Sequence, residues 1–159
     1  MHYTQKYKSP LGEILLASDG ENLIGLWFDG QKYFAETLDE LHAEKSLPIF
    51  EQTMAWLDIY FSGSESHFLP PIKFCATPFR KSVWEILLTI PFGKTTTYGA
   101  IANRLKTSAR AVGNAVGHNP ISIVIPCHRV IGADGKLTGY AGGVDKKIKL
   151  LELEKFCGV

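Results

Sequence analysis

The chain has 159 residues, 45% hydrophobic and 21% charged, the composition of a globular protein with room for one domain or two small lobes. No apolar run approaches the ~20 residues that span a bilayer, and the opening MHYTQKYKSPLG lacks the apolar core of a signal peptide, so neither a membrane nor a secreted protein is expected. Three cysteines, Cys75, Cys127 and Cys157, are too few and too scattered for a disulfide framework or a zinc site, which points to a reducing, cytoplasmic setting without metal.

The net charge of +1 conceals an asymmetry. Residues 1–85 carry 7 Lys/Arg against 12 Asp/Glu, whereas residues 86–133 hold Lys94, Arg104, Lys106, Arg110 and Arg129 and no acid. Forty-eight consecutive residues without a carboxylate make an electropositive face, as a polyanionic partner requires.

In chain order, Glu13–Ser18 and Leu23–Phe28 are β-prone runs around Asp19-Gly20-Glu21-Asn22, the pattern of a hairpin. A short helix is expected near Tyr33–Leu41. Phe50, Met54, Leu57 and Phe61 recur at helical spacing and Ser62-Gly63 follows, so Phe50–Phe61 reads as an amphipathic helix. His67–Phe74, with Pro70-Pro71, is extended at best; Cys75 reads as a small core residue and Cys157 as a thiol near the chain end. Thr77-Pro78 then supplies an N-cap and a first helical residue, opening a helix with Phe79, Val83, Ile86 and Leu87 on one face and stopped by Pro91. Two short helices follow, Tyr98–Leu105 capped by Thr97 and Ala109–Gly117 capped by Ser108, with a tight basic link between them, the pattern of a helix-turn-helix. The second of these, ARAVGNAVG, has side chains small enough to let its backbone approach another surface closely. A last helix is expected over about Asp145–Phe156. The reading is an α/β fold in two parts: an acidic N-terminal α/β lobe over 1–75 and a mainly helical lobe over 76–159.

The most informative segment is Ile123–Ile131, IVIPCHRVI, an apolar strand-like run broken by Pro126-Cys127-His128-Arg129. Cationic neighbours lower a thiol's pKa, and the thiolate is the nucleophile. His128 titrates near neutrality and is the base at hand. Successive residues of an extended strand face opposite ways, so direct contact of Cys127 with His128 needs a bridging water or a turn at Pro126.

This block resembles the active-site signature of the O6-alkylguanine-DNA alkyltransferases, and the resemblance is strong over residues 77–156 and weaker over 1–75. It implies a ribonuclease H-like sheet with a helix in the first lobe and, in the second, a DNA-binding helix-turn-helix beside an alkyl-accepting cysteine. The implied activity is irreversible transfer of the alkyl group from O6-alkylguanine, and from O4-alkylthymine, in double-stranded DNA to Cys127, once per molecule, by a monomer without cofactor. A cysteine–water–histidine relay, Cys127 to His128, is implied, with a glutamate orienting the histidine. The helical wheel does not choose between Glu152 and Glu154; alignment on Gly139-Tyr140-Ala141-Gly142-Gly143 selects Glu154. Tyr98, in PFGKTTTYG, matches the tyrosine that donates a proton toward the purine N3. Arg110 matches the arginine that fills the gap left by an extruded base, and Asn119 the asparagine hinge between the recognition helix and the active-site segment. The amides of Tyr140 and Ala141 would face the guanine oxygen, and the carbonyls of Cys127 and Val130 its exocyclic amine. Arg129 reads as a structural ion-pair partner. Two departures stand out: the link between the paired helices is about two residues shorter than the common pattern, and position 141 is Ala where some relatives have Ser. No glycine-rich dinucleotide fingerprint follows a strand, which argues against an S-adenosylmethionine cofactor. A damage-binding protein of the alkyltransferase-like type and a cysteine hydrolase are the rival readings; the retained Cys127 argues against the first, and the lack of an evident oxyanion site against the second.

Overall fold

Strand pairing begins ahead of the hairpin that the sequence predicts. The computed structural model describes residues 1–137 and 139–158, with side chains through 155, so the side chain of Cys157 lies outside the described residues. The chain divides into two compact units, Met1–Phe74 with Pro120–Ser122, and Cys75–Asn119 with Ile123–Val159.

In the first unit, β1 (His2–Ser9), β2 (Gly12–Ser18) and β3 (Leu23–Phe28) form an antiparallel meander, and β4 (His42–Glu44) adds to β1 in parallel, giving the order β3-β2-β1-β4. The β2–β3 turn is held by Asp19, whose Oδ1 accepts the amides of Glu21 and Asn22 at 2.9 and 2.8 Å. Backbone groups on the β3 edge are partly satisfied by two isolated parallel bridges, Leu23 with Ile72 and Leu26 with Ile121. Helix α1 (Pro48–Phe61) starts on a proline and buries Ile49, Phe50, Thr53, Trp56, Leu57 and Tyr60. The buried stripe is thus turned from the predicted one, with Met54 and Phe61 at its margins.

Two expectations for this stretch fail. Residues 33–41 form no helix: Tyr33 and Ala35 sit at φ 60° and 54°, in the left-handed region, and the amides of Phe34, Glu36 and Leu38 each bond three residues back, making a chain of turns. Cys75 is exposed, not core, because Lys73–Ala76 is extended and its alternation turns Cys75 outward.

The second unit contains α2 (Pro78–Leu87), β5 (Thr96–Thr97), α3 (Tyr98–Leu105), α4 (Ala109–Gly117), β6 (Val130–Ile131) and α5 (Val144–Gly158). The three predicted caps are in place: Thr77, Thr97 and Ser108 accept the amides of Arg80, Ala100 and Ala111 at 3.2, 3.0 and 3.1 Å. Helix α3 ends on Lys106 at φ 55°, a left-handed cap, and the link to α4 is three residues long. Trp84 Nε1 donates to the Ala115 carbonyl at 2.8 Å, fastening α2 to α4. Strands β5 and β6 are two residues each and pair in parallel, Thr96 with Val130 and Thr97 with Ile131. That short ladder brings the start of α3 alongside the segment that follows Cys127. Among the described residues, no helix is long and apolar enough to cross a membrane.

At Gly25 the β-sheet core leaves no room for a side chain. A Cβ there would lie 2.2 Å from the buried Trp27 ring, so Gly25→Ala is expected to lower stability by about 1–3 kcal/mol, the usual cost of overpacking. Urea unfolding should show a lower midpoint at unchanged m-value; an unchanged midpoint would contradict this packing.

Candidate active site

The segment carrying Cys127 is not a strand. Ile123 occupies φ 69°, a strained conformation for a β-branched residue. Pro126, at φ −80° and ψ 65°, centres an inverse γ-turn closed by the Cys127 amide on the Ile125 carbonyl at 2.8 Å. Cys127–Arg129 then form one turn of 3-10 helix, from which Val130 enters β6. The apolar run is therefore bent twice at its centre. Proline cannot supply the amide that a continuous ladder requires, and its fixed φ suits the turn.

Cys127 is only 4% exposed. Burial pushes its thiol up, while the Asn119 side chain, Lys147 and the amides of Cys127 and His128 pull it down without cancelling that effect. The expectation that cationic neighbours lower this thiol is corrected accordingly: loss of solvent outweighs them, and the thiol is raised. Asn119 also donates from Nδ2 to the Ile125 carbonyl at 2.8 Å, so one amide ties the residue after α4 to the Pro126 turn.

His128 is fully buried, and its Nε2 meets Glu154 Oε2 at 2.5 Å. Glu154, 1% exposed, uses its other oxygen for Arg129 Nε at 2.8 Å and the Gly93 amide at 3.0 Å. Burial alone would raise this carboxyl, but hydrogen bonds and charge from His128 and Arg129 outweigh it and bring it down to about 2. His128 is lowered, chiefly by burial and further by Arg129 and Lys147, against the opposing pull of Glu154. The surroundings thus favour the ionised form of Glu154, and burial disfavours the charged form of His128. Arg129 adds a bond from Nη1 to the Ile90 carbonyl at 2.7 Å and lies 5.8 Å from the Phe92 ring centroid, locking the loop before β5. Of the two glutamates weighed for contact with His128, it is Glu154 that makes it; Glu152 is exposed.

Tyr98, at the first position of α3, is half-buried, and its hydroxyl is raised by burial and by the charge of Cys127. Val130 is wholly buried, and its amide closes the 3-10 turn on the Cys127 carbonyl. Tyr140 and Ala141 lie in the turn before α5, where the Gly143 amide donates to the Tyr140 carbonyl at 2.9 Å. Arg110 stands exposed in the first turn of α4, outside the Cys127–His128–Glu154 cluster. Among the described residues, no group of three or more His, Cys, Asp or Glu is placed to hold a metal ion. One buried residue escaped the sequence reading: Lys147 has no exposed surface and reaches both the Gly139 carbonyl and the Tyr98 ring. Its signal was its spacing from Glu154, two helical turns, with Leu150 between them on the same face.

A buried thiol next to a histidine that is itself held by a buried carboxylate can pass a proton inward and present sulfur to an electrophile. Residues 78–156 match the family described as 6-O-methylguanine DNA methyltransferase, DNA binding domain, and residues 1–74 match its ribonuclease-like domain. The methylated-DNA--protein-cysteine methyltransferase of Mycobacterium leprae is 42% identical over 98% of this chain and 93% of its own length. The protein of the same name from Methanosarcina acetivorans is 44% identical over 98% of this chain and 99% of its own. The crystal structure of Mycobacterium tuberculosis OGT in complex with DNA superposes with a TM-score of 0.87 at 42% identity, covering 98% of this chain and 94% of that one. Sequence and fold agree over nearly the whole length, and the chain belongs to the 6-O-methylguanine DNA methyltransferase family.

Proposed function

We propose that this protein repairs double-stranded DNA by taking the alkyl group of O6-alkylguanine, and of O4-alkylthymine, onto Cys127, once per molecule and as a cytoplasmic monomer without cofactor. The observation that carries the reading is the buried Cys127–His128–Glu154 series at the bend after Pro126, in a chain whose relatives are methylated-DNA--protein-cysteine methyltransferases.

The target atom of a paired base is inaccessible inside the duplex, so the nucleotide is turned out into the pocket. Helices α3 and α4 supply the docking surface, in the minor groove. Lys94, Arg104, Lys106 and Arg110 are all exposed there, and α4 is lined by small residues, with Gly117 facing open space. Arg110 fills the gap left in the base stack. Asn119 couples α4 to the reactive turn, which supports its reading as a hinge. In the pocket, the Tyr140 and Ala141 amides face the guanine oxygen and the Cys127 and Val130 carbonyls its exocyclic amine.

With Nε2 committed to Glu154, His128 draws the Cys127 proton through Nδ1 and a bridging water. The sulfur–carbon bond forms as the carbon–O6 bond breaks. Tyr98 gives its proton to the purine N3, neutral guanine is left in the DNA, and the proton stored on His128 returns to Tyr98 through solvent. Glu154 holds the imidazole in the proton-accepting tautomer and stabilises the imidazolium that forms. The thioether has no leaving route at neutral pH, so the protein is spent.

Intact-protein mass after exposure to excess duplex bearing one O6-methylguanine should rise by one methyl group, mapped to Cys127 and absent in Cys127→Ser; multiple turnover, or a label on Cys75, would overturn the reading. Because burial lowers His128, its base form already prevails at neutral pH, and the single-turnover rate should stay level until the pH falls below about 6.5, the ordinary histidine value, and decline under it. Glu154→Gln should lower the plateau by about 10²-fold, within the range of positioned proton transfer, while leaving the final stoichiometry at one. For Arg110→Ala, transfer from duplex should slow about tenfold, whereas transfer from free O6-alkylguanine base should be unchanged; equal loss on both would remove Arg110 from the DNA interface.

A further inference from the structure

The last turn of α4 is short of backbone donors, and α2 supplies one. In a continuing helix the Ala115 carbonyl would receive the amide of residue 119, and the Val116 carbonyl that of residue 120. Residue 120 is proline and carries no N–H. The Asn119 amide turns instead to the Val116 carbonyl, three residues back, at 3.2 Å. The Ala115 carbonyl thereby loses its helical donor in a residue only 2% exposed, where water is a poor substitute. The Trp84 indole takes the place: its Nε1 donates to that carbonyl at 2.8 Å, from a side chain that is itself buried.

Asn119 is the residue that this exchange of donors delivers. His118 caps the helix at φ −92° and ψ 7°, and from the next position Asn119 Nδ2 reaches the Ile125 carbonyl at 2.8 Å. On the function proposed above, in which Asn119 couples α4 to the reactive turn, we infer that Trp84 is a positioning residue for that hinge. Its indole N–H stands in for the amide that Pro120 lacks, ends α4 after Gly117 and so holds Asn119 against the turn that carries Cys127. Without the indole donor, the Asn119 amide is the backbone group that can serve Ala115. Moving it there winds α4 on by one hydrogen bond, strands the Val116 carbonyl and withdraws the Asn119 side chain from Ile125. A hydrogen bond between α2 and α4 thus sets where the recognition helix stops and where the hinge begins.

Trp84→Phe keeps an aromatic ring in the core and removes the donor. NMR scalar couplings across hydrogen bonds should join the Asn119 amide nitrogen to the Val116 carbonyl carbon in the parent and to the Ala115 carbonyl carbon in the variant. Exchange of the Asn119 Nδ2 protons should quicken about tenfold or more. A coupling that stays on Val116, or an unchanged exchange rate, would reduce Trp84 to packing and overturn the inference. The single-turnover rate of methyl transfer from duplex should fall about tenfold in Trp84→Phe and at least as far in Asn119→Ala. The double variant should match Asn119→Ala alone, because both changes undo one tie; losses that multiply would also overturn the inference. One measurement needs no variant to fold: in the parent, the Trp84 Nε1 and Asn119 Nδ2 protons should exchange through a common opening with the same dependence on urea. Independent openings would count against it equally. The NMR and exchange readouts use no DNA, so their failure removes only the role of Trp84, whereas a parent that transfers no methyl group shows the proposed function itself to be wrong.

Discussion

Three segments distant in sequence converge on one carboxylate. Glu154 accepts from the Gly93 amide and Arg129 on one oxygen and meets His128 on the other, with Glu154 and His128 themselves buried. A buried charge of this kind is tolerated only when every lone pair it exposes is occupied, and removal of one partner leaves the others stranded. The carboxylate therefore fixes the loop before β5, the 3-10 turn and the last helix in one arrangement. Its low pKa expresses the same fact, since the ionised form is the one the surrounding donors fit.

The reactive turn is shaped by backbone devices of a different sort. Ile123 in the left-handed region, the γ-turn at Pro126 and the single 3-10 turn that follows reverse the chain's course within a few residues. Each is locally unfavourable or short-lived in isolation. Asn119 holds the arrangement from the side of α4, and the β5–β6 ladder from the side of α3. Sulfur and imidazole ride on the one 3-10 turn and the Tyr98 phenol on α3, and these anchors tie the two elements together.

Features set by local chemistry were readable in the chain. Thr77, Thr97 and Ser108 are caps because a short side-chain oxygen reaches an amide three residues on, which requires no knowledge of the rest of the fold. The β2–β3 hairpin and α1 followed from turn residues and periodicity for similar reasons. Features set by tertiary context were not. The stretch 33–41 has a helical composition, but Tyr33 and Ala35 take left-handed φ values that no periodicity reports. The run around Cys127 has the apolar content of a strand, and the proline that bends it is also what makes it a turn. Strand β1 alternates too weakly between polar and apolar residues to announce itself. Among the described side chains of α5 the buried stripe is Lys147, Leu150 and Glu154, two charges and one leucine, while Leu151 and Leu153 remain half-covered. An apolar wheel looks in the wrong direction there, which is why Glu152 and Glu154 could not be told apart by pattern and why Lys147 went unnoticed.

The concealment of the Cys127 sulfur has a bearing on how long an unspent molecule endures. Oxidants and stray electrophiles attack accessible thiolates, whereas this group is buried and its thiol is pushed up by that burial. A reagent that can be consumed only once gains more from such dormancy than from a high standing reactivity. Its shelf life between synthesis and first encounter with damage is set by that same burial.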